Sequence, residues 1–250
     1  MKKRILILVL ALACLFTLAS CKKDTAYSLY SEANTVLEEA NGLEAKVTID
    51  MKMVMADETM EETITMDMKV NGSNILATTS MEMDGETMDN TILYVDGIMY
   101  MDMGELGGKM KMEVSAEDFA DEYGMGDVSL PEFTEEALKE IKLEKDGDNT
   151  KFTVSMDKET ALEYVGEGML GSLIGEEDGI TVDKFDVTFV FDKDSKLAKM
   201  EIDMKLISPD ADEGALEATM VYEFKNLGTA PTVEAPADAD DYLDMSDMMG

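Results

Sequence analysis

From residue 44 onward the chain alternates apolar and polar positions with a period of two. Val47, Ile49, Met51, Met53 and Met55 share one parity, and Ile64, Met66, Met68 and Val70 repeat the pattern. It returns at Met81 and Met83, at Met99, Met101 and Met103, and at Met110 and Met112. A period of two sends alternate side chains to opposite faces of a strand. Asn71-Gly72, Asp84-Gly85 and Asp96-Gly97 punctuate the run, and such pairs suit tight hairpins because they tolerate positive φ. Residues 44–114 are therefore predicted to form an antiparallel meander of about six strands, apolar on one face and charged on the other.

Helical spacing appears on either side of it. Leu29, Tyr30, Ala33, Val36, Leu37 and Ala40 predict a helix over 25–40, stopped by Asn41-Gly42. Ser115-x-x-Asp118 resembles a capping box, and Ser129-Leu130-Pro131-Glu132 predicts a second helix start with proline at an early position. Strands are expected again over 141–145 and 151–156, joined by Asp146-Gly147-Asp148-Asn149. A helix over 158–174 follows, carrying Leu162, Val165, Met169, Leu170 and Leu173. Three longer strands close the pattern: Phe185, Val187, Phe189 and Phe191; then Ala198, Met200, Ile202, Met204 and Leu206; then Leu216, Ala218, Met220, Tyr222 and Phe224. The expected class is α+β, with about eleven strands in one sheet and a few helices.

The N-terminus sets the compartment. Lys2, Lys3 and Arg4 precede an apolar run from Ile5 to Leu18 that is short for a membrane span. Leu18-Ala19-Ser20-Cys21 resembles the lipobox of bacterial lipoproteins, in which the cysteine thiol takes a diacylglycerol before cleavage. Residues 1–20 then form a signal peptide, and 21–24 the lipidated Cys21 and a short tether. A single domain spans 25–240, and 241–250 is an acidic tail expected to be disordered. At about 3.5 Å per residue the tether keeps the body within about 15 Å of the membrane. The expected location is the extracytoplasmic face of the cell membrane, as a lipid-anchored monomer.

Charge and side-chain chemistry exclude several functions. The chain carries 21 basic and 55 acidic residues, a net charge of −34. Removal of residues 1–20 leaves 18 basic groups against 55 acidic ones, a net of −37. Such a surface repels nucleic acid and anionic headgroups, so no nucleic-acid partner is expected. There is no histidine, Cys14 leaves with the signal peptide and Cys21 is consumed by the lipid. Triad chemistry and the usual zinc sites are therefore absent. Gly166-Glu167-Gly168-Met169-Leu170-Gly171 fits G-x-G-x-x-G by letter, but the predicted helix before it replaces the strand that a dinucleotide site requires. Asp192-x-Asp194 and Asp210-x-Asp212 lack the spacing of a calcium loop and read as solvated turns. No cofactor and no enzymatic activity are expected.

Methionine is the remaining signal, at 24 residues. Three readings compete: a thioether site for Cu(I), a pliable apolar cavity for a lipid or acyl chain, and an ordinary core written in methionine, as in a structural or sensory surface lipoprotein.

The order of elements adds a resemblance. "ILYVDGIMYMDMGE", "FDVTFVFDKDSKLAKMEIDM" and "YEFKNLGTAPTVEAPADADDY" are similar to segments of the LolA/LppX superfamily of lipoprotein and lipid carriers, over most of residues 25–242. The likeness is strongest to clostridial and related Gram-positive lipoproteins of unknown function. It implies a strongly curved sheet, an unclosed β-barrel, wrapped over helices around a hydrophobic cavity. Carried onto this chain, the lining is Met51, Met53, Met55, Met66, Met68, Met81, Met83, Met99, Met101 and Met103 in the meander. Phe185, Val187, Phe189, Met200, Met204 and Met220 complete it from the closing strands. The first meander departs from the family in using methionine where leucine, isoleucine and aromatic residues are usual.

Overall fold

The computed structural model describes residues 24–39, 42–55, 58–83, 86–104, 107–123, 130–161, 181–208 and 214–245. Twelve strands form one curved sheet that does not close into a barrel, as an α+β fold. The first meander is β1 (Gly42–Met55), β2 (Glu58–Asn71), β3 (Asn74–Met83), β4 (Glu86–Val95), β5 (Ile98–Asp102) and β6 (Lys109–Glu113). The second is β7 (Glu144–Asp146), β8 (Asn149–Ser155), β9 (Thr181–Phe191), β10 (Leu197–Ile207) and β11 (Ala215–Leu227). A seam of antiparallel pairing between β1 and β11 joins them, from Leu43 opposite Leu227 to Val54 opposite Ala215. Among the described residues the helices are α1 (Ala26–Glu39), α2 (Ala116–Tyr123) and the single turn α3 (Glu135–Leu138), with a further helical segment over 158–161.

The turns at one end of the sheet, here the near end, follow from their residues. Asp96 and Gly97 both have positive φ, as a two-residue hairpin with that hand of twist requires. At the β2–β3 turn Asn71 pairs with Asn74, so Gly72-Ser73 form the loop, one residue later than the predicted Asn71-Gly72. Asp84-Gly85 lie outside the described residues. Gly42 shows why a glycine opens β1: a Cβ there would overlap the backbone of Ala230 and the carbonyl oxygen of Val70. Gly42→Ala is therefore expected to lower stability by about 1–3 kcal/mol, read as a lower urea midpoint with an unchanged slope.

The core lies between the inner face of the sheet and the helices. Ala26, Leu29, Tyr30, Ala33 and Leu37 of α1 are buried against Val47, Ile49, Met66 and Met68 of the first meander and Phe189, Met200, Ile202 and Met220 of the second. Thr25 and Ser28 cap α1 reciprocally, each hydroxyl accepting from the other's backbone N–H. Ser115 Oγ likewise accepts from Asp118 N, as the capping-box reading predicts. Phe119 of α2 stacks on Tyr94 at 4.5 Å and joins Ile75 and Met99 in a second inner cluster.

Several expectations are corrected. The helix predicted from Ser129 starts only at Glu135, with Thr134 as its N-cap. Upstream, the Tyr30 hydroxyl donates to Pro131 O at 2.8 Å and accepts from Phe133 N at 3.2 Å, so these backbone groups are held outside a helix. β7 is three residues, because Ile141 and Leu143 pack on the core. The helix over 158–174 is described only to Ala161, and the glycine motif at 166–171 lies beyond it.

The outer face is also not charged throughout. Leu93, Val95 and Tyr100 point away from the main core and are buried under Val233, Ala239 and Tyr242. Residues 241–245, predicted as part of a loose tail, instead supply a twelfth strand, β12 (Leu243–Asp244), parallel to β6. Asn71 Nδ2 donates to Pro231 O, Lys111 Nζ donates to Ala239 O, and Lys109 pairs with Asp238. The Tyr100 and Tyr242 rings meet edge-on at 5.3 Å. The bond from Lys109 holds the Asp238 carboxyl below the usual carboxylate range and raises Lys109. This pair holds the strap formed by residues 231–245 on the outer face at pH above the carboxylate's unfolded pKa. Its contribution is lost as pH falls through the lowered Asp238 value, or rises through the raised Lys109 value.

Candidate functional site

The alternation of β1–β5 carries the methionines onto the inner face, but their depth differs along the strands. Near the helices, Met66, Met68 and Met99 are buried, as are Phe185, Val187, Phe189, Met200, Met204 and Met220 of the second meander. These nine are core side chains. Phe189 sits among Phe152, Tyr30 and Phe133 at ring distances of 5.1, 5.9 and 6.1 Å.

Towards the far end, where β1 and β2 join, the same face opens. Met51, Met81 and Met101 are half-buried. Met53 is 42% exposed and Met103 38%. Met55 and Met83 lie on β1 and β3, with their side chains outside the description. The β1–β2 register sets Met53 opposite Met60, which is 58% exposed, and β3–β4 sets Met81 opposite Met88. Met101 stands opposite Met110. Sequence reading omitted Met60, Met88 and Met110 from the site, although the parity of their strands places them on it.

One polar residue belongs to this face as well. Glu62 has the parity of Met60, Ile64 and Met66 and stands opposite Met51. Among described side chains of β1–β6, it is the one charged group at an inward position.

A trough of about 740 Å³ borders the same end of the sheet. Outward residues dominate its lining, among them Asp50, Lys52, Thr63, Lys184, Lys205 and Glu217, while Met51 and Met204 contribute at its edge. Its charges are largely matched: Lys52 with Glu61 at 3.6 Å, Lys205 with Glu217 at 3.2 Å, and Lys184 with Asp203. The hydrogen bond to Asp203 raises Lys184 above the ordinary lysine range. This trough is largely polar and reaches the methionine face at Met51 and Glu62, which both line it.

No group of three or more acidic, histidine or cysteine residues is placed to hold a metal among the described residues. Asp192 Oδ1 accepts from Asp194 N and Lys196 N, which makes this segment a turn, as its sequence implies. Among the described residues no helix is long and apolar enough to cross a membrane.

Residues 25–242 match the profile of a family of unknown function, DUF6612. The chain belongs to that family. Similar solved structures include a LolA superfamily protein from Nitrosomonas europaea, at 8% identity, covering 84% of this chain and 95% of that one, with a TM-score of 0.27. A DUF1329 family protein from Desulfovibrio piger is 11% identical, with 87% and 97% covered and a TM-score of 0.28. The ywiB protein of Bacillus subtilis is 10% identical, with 74% and 94% covered and a TM-score of 0.23. No curated protein matches the chain. The unclosed curved sheet with its helices on the inner face is the architecture that the LolA/LppX resemblance implies.

Proposed function

We propose that this is a membrane-anchored extracytoplasmic lipoprotein that holds or passes a hydrophobic molecule, a lipid or an acyl chain, on the far half of its inner face. One observation carries the reading. The inner face that buries Met66, Met68 and Met99 continues into exposed Met53 of β1 and Met60 of β2, with exposed Met103 just past β5. Contiguous exposed apolar surface marks interaction sites, and flexible thioethers accommodate varied apolar shapes.

The anchor fits this arrangement. Ser195 Oγ donates to Asp24 Oδ2 at 3.5 Å, which sets the start of α1 beside the β9–β10 turn at the near end. Cys21 is three residues upstream, about 10 Å of extended chain. The far-end methionines then stand roughly 45 Å from the anchor along β1. Cys21→Ser is expected to move the protein from detergent phase to aqueous phase in a phase-partition assay. Retention of a processed Cys21→Ser protein in the membrane overturns the anchor.

The filled-core reading has its own support, because Met200, Met204 and Met220 are buried among aromatic and aliphatic neighbours. One variant separates the readings. Met→Leu conserves volume and costs under about 1.5 kcal/mol per site, so a protein with Met51, Met53, Met66, Met68, Met99 and Met101 all changed to leucine is expected to fold. On the carrier reading both parent and variant take up a fluorescent fatty-acyl probe with an uncharged head. On the filled-core reading neither does. Tight Cu(I) binding by the parent in a chelator competition, lost in the variant, favours copper handling instead.

A further inference from the structure

We infer that the molecule held on this face is an amphiphile with a positively charged head and one apolar tail, and that Glu62 receives the head. The inference rests on the carrier reading above. Glu62 stands between apolar residues: Met60 and Ile64 flank it on β2, and Met51 faces it from β1. It is partly exposed and makes no hydrogen bond or ion pair with the described residues. The lysine opposite its neighbour, Lys52, belongs to the outer face and is paired with Glu61.

As packing, a carboxylate is a poor continuation of a methionine row, since it gains nothing from apolar neighbours and resists desolvation. As a binding group it is well placed. An apolar tail covers Met51, Met53 and Met60 while a cationic head meets the carboxylate beside them. The same group repels fatty-acid carboxylates and anionic phospholipid heads. The field of the whole chain acts in the same sense, attracting cationic amphiphiles and excluding anionic ones.

The test uses the mature chain carrying Cys21→Ser, titrated calorimetrically with three probes of equal tail length below their micelle concentrations. These are dodecyltrimethylammonium, dodecyl maltoside and dodecanoate, in about 0.15 M salt to screen the general field. The ammonium probe is expected to bind about tenfold tighter than the neutral one, a difference of about 1.4 kcal/mol, with no dodecanoate binding. Glu62→Gln is expected to abolish that preference and leave neutral binding intact. Glu61→Gln has the same net charge but alters the outer face, and is expected to keep the preference. Equal binding of all three probes, or a preference that survives Glu62→Gln, overturns the role of Glu62 while the carrier reading stands. Binding of none of them overturns both.

Discussion

Met99→Asp is expected to yield no folded protein, whereas Met53→Asp folds. Both residues have the same side chain on the same face of one sheet, and only depth separates them. Met99 is wholly buried between Tyr94 and Met112 and packs with Phe119, while Met53 is 42% exposed. A carboxylate at Met99 finds no cation in its inner cluster, where the Tyr94 hydroxyl already donates to Val114 O, and burying an unpaired charge costs several kcal/mol. That is comparable to the whole stability of a domain, about 5–15 kcal/mol. Met53→Asp places the charge in water and leaves the fold near parental stability. On the carrier reading it also weakens uptake of the fatty-acyl probe. Circular dichroism with urea unfolding reads the first contrast, and the probe titration reads the second. A folded Met99→Asp protein would show that the inner face holds water or a counter-charge at that depth.

The second large effect is expected at Phe189. Its ring contacts Tyr30 of α1, Phe133 before α3 and Phe152 of β8, and the residue is fully buried. Phe189→Ala removes one ring from the point where three separate segments meet. Such truncations cost about 3–5 kcal/mol when the surroundings do not collapse into the space. Among the described rings Phe191 stacks on Phe152 at 5.8 Å and meets neither Tyr30 nor Phe133, so Phe191→Ala is expected to lose less helix–sheet coupling. The comparison is made by equilibrium urea unfolding of both variants. Equal losses would argue that the aromatic junction adds nothing beyond buried area.

The alternation in the sequence made the strands and their inward parities legible, because one side of each strand had to meet α1 or α2. Depth was not legible in the same way. Whether Met68 or Met53 is buried depends on how far the helices reach along strands of similar composition. The outer strap was missed for a different reason. Its proline-spaced acidic sequence looks like a tail, yet the signal lay elsewhere, in Ile92-Leu93-Tyr94-Val95 and Ile98-Met99-Tyr100. These runs are apolar on both parities, which is the mark of strands covered on both faces. Tyr242 and Val233 are what covers the second face. The early helix start failed because a tertiary hydrogen bond from Tyr30 overrode local signals. Glu62 shows in the sequence as an acid on the apolar parity of β2.

The seam between β1 and β11 dictates the order in which the protein can be completed. Every other antiparallel pair joins strands that follow one another in the chain. Apart from β8–β9, whose strands are separated by residues 156–180, these hairpins can close soon after synthesis, since their loops are short and little chain entropy opposes them. β1 has to wait for a partner near the opposite end of the sequence, a high-contact-order step that slows folding. On the proposed extracytoplasmic location, a chain that crosses the membrane N-terminus first does so with the first meander able to pair and the β11-facing edge of β1 still bare. During that interval Val47 and Ile49 lack the neighbours on β11 that finally flank them. Such an edge is a template for pairing with another chain, so the arrival of β11 is what ends the risk of aggregation there.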